Sequence, residues 1–288
     1  MTTPKIAILT PDPADEGYLT RWRDVFERNA EPLRAAGFEV ESVSWAGSPD
    51  LTRFDLVLPL LVWGYPRAHR QWVEAVRGWA ASRINMHNPA SVLEWNADKR
   101  YLGTLARRGA PVVPTVYAER LTLDVMEEAA GRFGTRRLVA KPQVSSTAWQ
   151  TIRWSPGQSL KGGPEGPAMV QPYLPEIEAS GEVSMLFFGG AYSHAISKRP
   201  QPGDFRVQPE YDGIIAAYDP QPDEHDAAAR ILAAVEEPLL YARVDLVRGL
   251  SGAPELIELE LIEPDLYLGY SPEAGAKFAA AARELIAR

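Results

Sequence analysis

The run at residues 255–268, ELIELELIEPDLYL, restricts the fold more than any other stretch, because it places glutamates inside an aliphatic strand. Side chains alternate between the two faces of a strand, so Glu258 and Glu260 share one face and the aliphatic residues beside them share the other. An upstream run, LLYARVDLV, is separated from it by GLSGAP. Two β-prone runs joined by a Gly/Pro/Ser cluster predict a β-hairpin.

A loop at 249–254 sets the expected register of this hairpin. Arg248 then faces Glu255 across the two strands. Counting back from that pair places Asp245 directly opposite Glu258. The Cβ atoms of paired residues are about 5 Å apart, and like charges at that distance destabilise a sheet. The two carboxylates are therefore expected to have a compensating partner.

The same register places Arg243 opposite Glu260, which leaves two explanations of the acidic face open. A divalent cation is one of them, since Mg²⁺ prefers carboxylate oxygens and commonly joins substrate phosphates. An ordinary solvated strand face, with Arg243 as a cross-strand partner, is the other. The rest of the chain has to distinguish between the two.

The composition is that of a globular protein without cysteine chemistry. The 288 residues suffice for one large domain or two to three small ones, and 45% of them are hydrophobic. A net charge of −8 argues against a nucleic-acid or anionic-membrane partner. The lack of cysteine excludes disulfides and thiolate metal sites, and it is compatible with the cytoplasmic location that we expect. The N-terminal residues lack a signal-peptide pattern, and the most apolar run, 56–62, is too short to span a bilayer.

Alternating strand and helix patterns over residues 1–88 predict a three-layer α/β unit with a mostly parallel sheet. The expected strands cover 5–10, 38–43, 55–60 and 84–86, and the expected helices cover 19–36 and 67–81. Ligands favour the loops at the carboxyl ends of parallel strands. Those loops carry Asp12, Asp15, Glu16, Trp63, Gly64 and Tyr65. A substrate role and ordinary loop packing are both open for these residues.

The patterns after residue 88 predict a mixture of helices and short strands. Helices are expected over 92–107 with Ser91 as the cap, from Thr122 to about 133, over 223–236, and at the end of the chain with Ser271 as the cap and Pro272 in the first turn. Extended segments are expected at 114–117, 137–141 and 169–174. A hairpin over 182–198 is expected to turn at Gly189 and Gly190.

A search for catalytic motifs gives no sign of nucleophilic catalysis by a side chain. The sequence contains no GxxxxGK[ST] phosphate loop, no GxGxxG opening a helix after a strand, and no HExxH, GxSxG or EF-hand loop. The four histidines are scattered without the spacing of metal ligands, at His69, His87, His194 and His225. Each of them is expected to be structural or to lie at the surface.

Seven separate stretches together resemble the ATP-grasp superfamily. They are NADKRYL at 96–102, LVAKP at 138–142, QVSSTAW at 143–149, VQPYLPEIEASGE at 170–182, GDFRVQPEYDG at 203–213, RVDLV at 243–247 and ELELIEP at 258–264. Their order and spacing are similar to those of the bacterial glutathione synthetase branch, whose relatives include D-alanine–D-alanine ligases, RimK-type ligases and cycloserine-forming cyclo-ligases. Each motif alone is weak, and the order of all seven carries the resemblance.

The resemblance implies an α/β plus α+β fold in three parts. Residues 1–88 would form a Rossmann-like pre-ATP-grasp α/β domain. A two-lobed ATP-grasp fold would follow, with a small lid subdomain at 89–170 and a C-terminal subdomain at 171–288 that carries the metal site. ATP would be clamped between the two lobes.

The resemblance also assigns residues to ATP. Lys99 and Lys141 match the lysines that reach the α- and β-phosphates, a role suited to an ammonium point charge. The loop Ser145, Ser146 and Thr147 would close over the phosphates, although many members have a glycine-rich loop there. The remaining contacts implied are the adenine hinge at Gln171, Tyr173 and Leu174, an apolar wall at Leu138, Val139 and Ile257, and a ribose-binding carboxylate at Glu178.

The metal and the transferred phosphoryl group are assigned in the same way. Asp245, Glu258 and Glu260 match the family's Mg²⁺ ligands, with Mn²⁺ as the alternative metal. Glu260 stands where typical members have asparagine, and a carboxylate at that position also suits Mg²⁺. The residues implied for catalysis are Arg206, which matches the arginine that neutralises the γ-phosphate and the acylphosphate, Lys198 and Arg199, with Gln208 at a position often held by asparagine.

The activity implied is ligation of a carboxylate to an amine through an acylphosphate, on an amino-acid-like or small peptide substrate. Intramolecular ring closure is one form of it, and a phosphotransferase or a non-catalytic nucleotide-binding protein are the alternatives. A substrate amine is expected to meet Glu263, Tyr267 or Tyr270, and a substrate carboxylate to meet Trp63, Arg67 or Arg199. Because relatives are often dimers, a homodimer is expected.

Overall fold

The computed structural model of the protein describes residues 3–15, 21–82, 84–199 and 213–287. It has a mixed α/β architecture with three sheets. The first predicted helix illustrates how the pattern specifies an element, because Phe26, Ala30 and Leu33 recur at helical spacing and are buried on one face. Gly37, at φ 88°, follows the end of that helix in the left-handed conformation that a helix terminus favours.

The N-terminal sheet is parallel and three-stranded, with the order β2-β1-β3. Its elements are β1 (Lys5–Thr10), α1 (Arg21–Ala35), β2 (Glu39–Ser44), β3 (Leu56–Leu58) and α2 (His69–Ala81). The strand expected at 84–86 is reduced to one parallel bridge between Val57 and Met86. The alternation of strands and helices is as predicted, and the carboxyl ends of β1 and β3 lie at the same edge of the sheet.

The helix predicted over 92–107 is interrupted, and the prediction of one continuous helix was wrong. The structure has α3 (Ala90–Asn96) and α4 (Tyr101–Arg107), with a break between them. Asn96 Nδ2 donates to Leu259 O at 2.9 Å, and Leu261 N donates to Asn96 Oδ1 at 3.0 Å. The side chain of Asn96 therefore satisfies the backbone of a distant strand, and the chain leaves the helical path at this point.

The second sheet is antiparallel and four-stranded, with the order β4-β7-β5-β6. Its elements are β4 (Val116–Ala118), α5 (Leu123–Phe133), β5 (Leu138–Pro142), β6 (Ile152–Trp154) and β7 (Ala168–Pro172). Thr122 caps α5 as predicted, since its hydroxyl accepts from Val125 N at 3.3 Å. Met126, Ala129 and Trp154 are buried in the core between this helix and the sheet.

The third sheet is antiparallel and five-stranded, with the order β10-β9-β8-β11-β12. Its elements follow the short helix α6 (Glu176–Ala179) and are β8 (Glu182–Phe188), β9 (Ala191–Arg199), β10 (Ile214–Tyr218), α7 (Pro222–Ala233), β11 (Tyr241–Arg248) and β12 (Pro254–Glu260), with α8 (Ala274–Ile286) after them. Phe188, Tyr241 and Phe278 share one core with Ile6 and Leu33. The N-terminal unit is thus packed directly on the third sheet.

The hairpin of β11 and β12 has the predicted register over the part that carries the carboxylates. Arg243 pairs with Glu260 and Asp245 pairs with Glu258. The predicted pairing of Arg248 with Glu255 was wrong, because Arg248 pairs with Pro254. A β-bulge between Asp245 and Leu246 shifts the register by one residue toward the turn.

Two predicted helix caps were also wrong. Pro89 precedes α3 where Ser91 was expected, and the Ser91 hydroxyl contacts Glu237 Oε1 at 3.3 Å instead. Helix α8 begins at Ala274 instead of Pro272, because a tight turn with a bond from Ala274 N to Ser271 O precedes it. None of the helices within the described ranges is long and apolar enough to cross a bilayer.

Candidate active site

A cavity of about 640 Å³ lies where the three sheets meet. The N-terminal unit contributes Trp63 and Tyr65 to its lining. The four-stranded sheet contributes Lys141 at the end of β5, and the five-stranded sheet contributes Asp245 and Glu258. Clefts that combine apolar walls with a few converging polar groups are the usual place for a small-molecule site.

Most of the predicted site residues line this cavity. They are Lys99, Lys141, Ser145, Ser146, Thr147, Gln171, Tyr173, Leu174, Lys198, Asp245, Ile257, Glu258 and Glu260. Arg199 ends β9 as an exposed residue outside the lining, and Glu178, on α6, is also outside it. Of the predicted adenine wall, Val139 and Ile257 line the cavity, but Leu138 was wrong, because its side chain packs in the core between α5 and the four-stranded sheet. Arg206 and Gln208 lie outside the described residues.

The three predicted metal ligands form a cluster, called the carboxylate trio below. Asp245, Glu258 and Glu260 each present one oxygen, and these oxygens lie within 4.8 Å of one another. Strand pairing produces this arrangement, since Asp245 on β11 faces Glu258 on β12 and Glu260 lies two residues further along the same face. Three oxygen donors this close suit a hard divalent cation.

Cationic side chains from three different segments contact the trio. Lys99 Nζ lies 3.1 Å from Glu258 Oε1, and Lys198 Nζ lies 3.2 Å from Asp245 Oδ2. Arg243 contacts both Asp245 Oδ2, at 2.9 Å, and the Glu260 carboxylate. The cross-strand role expected of Arg243 is therefore present, but as a buried residue and not on a solvated face.

The electrostatics of the trio are uneven. Burial and then the neighbouring carboxylates raise the pKa of Glu260 to about 8, against the opposing effect of Arg243. Burial acts in the same direction on Asp245, but Arg243 and Lys198 outweigh it and hold the pKa of Asp245 below its usual range. A cation bound among the three would favour the ionised form of Glu260, so the donor set fits Mg²⁺.

The two predicted phosphate-binding lysines differ in environment. Lys99 lies in the break between α3 and α4, where its Nζ also donates to Ser145 O at 2.7 Å. It thus joins the trio to the loop after β5. Burial lowers the pKa of Lys141 to about 8, and among the described residues no carboxylate lies within ion-pair distance of its Nζ. Lys141 is therefore placed to receive a negative charge from a ligand.

The loop after β5 and the predicted adenine hinge form the other wall of the cavity. Thr147 and Ala148 have positive φ angles of 50° and 55°. In the hinge, Tyr173 N donates to Arg137 O at 2.8 Å, and the Tyr173 hydroxyl donates to Glu178. The apolar side of this region consists of Val113, Leu174, Val247 and Ile257, which pack together.

Two further residues belong to the polar network around the trio, and the sequence motifs assigned no role to either. Glu182 is buried and ion-paired with Lys198, and burial raises the pKa of Glu182 to about 7. Ser184 donates from its hydroxyl to Asp245 Oδ1 at 2.6 Å. Strand pairing is the signal that points to both, since β8 pairs Glu182 with Lys198 on β9 and Ser184 with Asp245 on β11.

The predicted substrate residues are divided by the structure. Trp63, Gly64, Tyr65, Glu263 and Tyr267 line the cavity. Asp12, Asp15, Arg67 and Tyr270 are not part of the lining, and Arg67 binds Asp15 at 2.6 Å. Glu16 lies outside the described residues. The carboxyl edge of the N-terminal sheet therefore reaches the cavity through the segment after β3.

Comparison with known sequences finds similarity over almost the whole chain. Residues 6–88 match the family model of the D-cycloserine synthetase DcsG N-terminal domain. The chain is 30% identical over 276 residues to the cycloserine biosynthesis protein DcsG of Streptomyces lavendulae, which covers 88% of this chain and 91% of that protein.

Comparison with solved structures gives the same picture. The crystal structure of D-cycloserine synthetase DcsG superimposes with a TM-score of 0.80 at 28% identity, over 98% of this chain and 99% of that one. The D-alanine–D-alanine ligase of Bacillus anthracis complexed with ATP superimposes with a TM-score of 0.69 at 15% identity, over 100% of this chain and 97% of that one. The latter likeness concerns the fold.

Proposed function

Since the chain belongs to the ATP-grasp family of carbon–nitrogen bond-forming ligases that includes DcsG, we propose that it uses ATP to activate the carboxylate of a small amino-acid-like substrate. The observation that carries this proposal is the carboxylate trio and its cations, Lys99, Lys198 and Arg243, in one cavity with Lys141. Phosphoryl transfer requires positioning and charge neutralisation more than covalent chemistry by the protein, and these residues supply both.

The proposed reaction has two steps. A substrate carboxylate oxygen attacks the γ-phosphorus of ATP, which forms an acylphosphate and releases ADP. An amine nitrogen then attacks the acyl carbon, the bond from that carbon to the phosphate oxygen breaks, and inorganic phosphate leaves while the nitrogen loses a proton. Holding the two reacting groups in one cavity replaces a bimolecular encounter, which lowers the entropic part of the barrier.

Each wall of the cavity has a proposed part in this reaction. Asp245, Glu258 and Glu260 would hold Mg²⁺, which when bound offsets the repulsion between phosphate oxygens. Lys99 and Lys141 would bind the phosphates of ATP, with Ser145, Ser146 and Thr147 above them. Adenine would lie against Gln171, Tyr173, Leu174 and Ile257, and Glu178 would bind the ribose. Lys198, Arg199 and Arg206 would neutralise the transferred phosphoryl group.

The finer domain arrangement is proposed on the same basis. Residues 1–88 would be the Rossmann-like pre-ATP-grasp domain, 89–170 the lid subdomain and 171–288 the subdomain that carries the metal site. The three sheets and the cavity between them support this division. A homodimer, a cytoplasmic location and Mn²⁺ as a substitute metal stay predictions.

Intramolecular ring closure is the form of ligation that we favour. The relative that is 30% identical is named for cycloserine biosynthesis, and D-cycloserine contains a ring amide. A substrate that carries both a carboxylate and a nucleophilic nitrogen would need only one binding site, and the described residues enclose one cavity at the trio.

A substrate panel tests the proposal. The protein is incubated with ATP, Mg²⁺ and single D- or L-amino acids, dipeptides or O-substituted serines, and ADP release is measured. Ring closure predicts ADP release without a second amine and a product lighter than the substrate by one water in the mass spectrum. Accumulation of acylphosphate without amide in the presence of amines would favour a phosphotransferase. No ADP release with any member of the panel would contradict the ligase proposal for this substrate class.

A further inference from the structure

Glu263 lines the cavity, and one of its two carboxylate oxygens lacks a hydrogen bond within the described part of the chain. It lies three residues after Glu260, immediately before Pro264, where the chain leaves β12 toward the N-terminal unit. It lines the same cavity as the carboxylate trio. Its Oε2 atom is buried and has no hydrogen-bond partner among the described residues. A buried carboxylate oxygen without a partner is costly, so its presence in a cavity indicates a ligand that supplies one.

Three cations of the cavity are engaged with the carboxylates of the trio. Lys99, Lys198 and Arg243 contact the trio. Among the described residues, no lysine or arginine forms an ion pair with Glu263 within 4.0 Å. Burial and then the Glu260 carboxylate raise the pKa of Glu263 well above its ordinary value, against the smaller opposing effects of Arg243 and Lys99. A cation that the ligand brings beside Glu263 would favour the ionised form of this carboxylate.

Aromatic side chains line the cavity together with Glu263. Tyr65 from the N-terminal unit is close enough for the charge of Glu263 to raise the pKa of Tyr65, after the larger effect of burial. Trp63, Asp265 and Tyr267 also line the cavity. Aromatic side chains beside a carboxylate suit a small organic cation, because the negative charge and the ring faces both attract it.

We propose that Glu263 binds the ammonium group of the amino-acid-like substrate and thereby orients it. This rests on the proposed function, because the substrate carboxylate must then point the other way, toward the cations that surround the trio and the phosphates of ATP. The two ends of the cavity have opposite preferences, and a zwitterion satisfies both at once. Glu263 is thus the residue that selects substrates with a free amino group over the same molecules without it.

Calorimetric titration of a pair of matched ring compounds tests this assignment. The probes are D-cycloserine, the ring amide for which the relative is named, and isoxazolidin-3-one, the same ring without the amino group. Each is titrated into the full chain in the presence of ADP and Mg²⁺. The wild-type protein should bind D-cycloserine at least about tenfold more tightly, the factor that one charge-assisted hydrogen bond supplies. Equal binding of the two probes, or binding of neither, would overturn the proposal.

Glu263→Gln should lower this ratio to near one while the affinity for ATP stays the same. Glu255→Gln is the matched control, because Glu255 Oε2 is also buried without a hydrogen-bond partner among the described residues but lies outside the cavity lining. The control should keep the wild-type ratio. A Glu263→Gln variant that retains the ratio, or a Glu255→Gln variant that loses it equally, would contradict the assignment.

The substrate panel separates failure of this inference from failure of the ligase proposal. ADP release by the wild type, together with an unchanged probe ratio in Glu263→Gln, would remove the role of Glu263 and leave the ligase. A probe ratio that Glu263→Gln abolishes, without ADP release for any amino acid, would keep the ammonium site and remove the activity.

Discussion

The carboxylate trio and the loop after β5 line the same cavity but are held by different interactions. The trio stands on paired strands of the five-stranded sheet, and each of its carboxylates contacts a lysine or arginine. The loop follows the four-stranded sheet and contains residues at positive φ, such as Thr147, together with the exposed Trp149. Lys99 connects the two, because its Nζ contacts both Glu258 and Ser145 O.

This difference indicates which region is set before the ligand arrives. A strand pair with buried ion pairs has one arrangement, and displacing any member leaves an uncompensated charge. A loop with few buried contacts can open at low cost. We therefore expect the loss of a cation that neutralises the trio to lower the stability strongly, and the loss of an exposed side chain of the loop to leave the stability almost unchanged. The predictions below test this contrast from its strongest point downward.

Arg243→Met should be the most damaging change to stability. Arg243 is 7% exposed and contacts Asp245 and Glu260, so its loss leaves a buried carboxylate and a half-buried one close together without this cation. Removing one partner of a buried ion pair costs about 3–5 kcal/mol in the free energy of unfolding. Urea unfolding measures the loss, and added Mg²⁺ should recover part of it by binding the trio.

Arg77→Met is the control for this prediction. Arg77 pairs with Glu94 at the surface, with 67% of its side chain exposed, and so its replacement should change the free energy of unfolding by less than about 1 kcal/mol. A loss in Arg243→Met that is no larger than in the control would show that the trio does not depend on its cations. A loss that Mg²⁺ leaves unchanged would count against metal binding.

Glu258→Gln should reduce turnover while the fold persists. The substitution removes one of the opposed carboxylates, so the repulsion from Asp245 falls. Loss of a group that acts on the developing charge lowers the rate by on the order of 10²–10³. ADP release with the best member of the substrate panel measures turnover, and circular dichroism checks the fold. Normal turnover of the variant at the Mg²⁺ concentration used for the wild type would show that Glu258 is not a metal ligand.

Lys141→Ala should weaken ATP binding by about ten- to a hundredfold, the range for one hydrogen bond to a charged group. Burial lowers the pKa of Lys141 to about 8, so in the free protein the ammonium form predominates below that pH and is lost above it. The affinity of the wild type for ATP should therefore fall as the pH rises through about 8. This fall in affinity with rising pH should be absent in Lys141→Ala.

Lys161→Ala is the matched control for the lysine, since Lys161 is exposed and lies outside the cavity lining. It should leave the affinity for ATP and its pH dependence as in the wild type. Equilibrium titration of ATP with Mg²⁺ at several pH values measures both quantities. An unchanged affinity in Lys141→Ala would contradict the assignment of this lysine to the phosphates.

The contrast between the two regions also explains how much could be predicted from the sequence. The opposition of Asp245 and Glu258 was predicted correctly, although the count began from a pairing of Arg248 with Glu255 that the structure does not have. The bulge between Asp245 and Leu246 shifts the register by one residue and so offsets the one-residue error in the assumed turn. Strand alternation therefore determines which residues share a face, but the register of the hairpin depends on an irregularity that no local pattern indicates.

Features that depend on distant contacts could not be predicted in this way. The break after α3 arises because the Asn96 side chain satisfies Leu259 O and Leu261 N, which are far away in the sequence. Glu182 becomes part of the site only through pairing of β8 with its neighbours. The motif resemblance identified many cavity residues without geometry, but it could not reveal that Oε2 of Glu263 is buried without a hydrogen-bond partner among the described residues.

Trp149→Ala should have the smallest effect, because the loop contributes little to the fold. The side chain of Trp149 is 59% exposed, so its removal should change the free energy of unfolding by less than about 0.5 kcal/mol. Trp154, a few residues further on in β6, is 1% exposed, and Trp154→Ala should cost about 3–5 kcal/mol. Urea unfolding of both variants compares a loop residue with a core residue of the same segment. A loss in Trp149→Ala approaching that of Trp154→Ala would show that the loop is as fixed as the carboxylate trio.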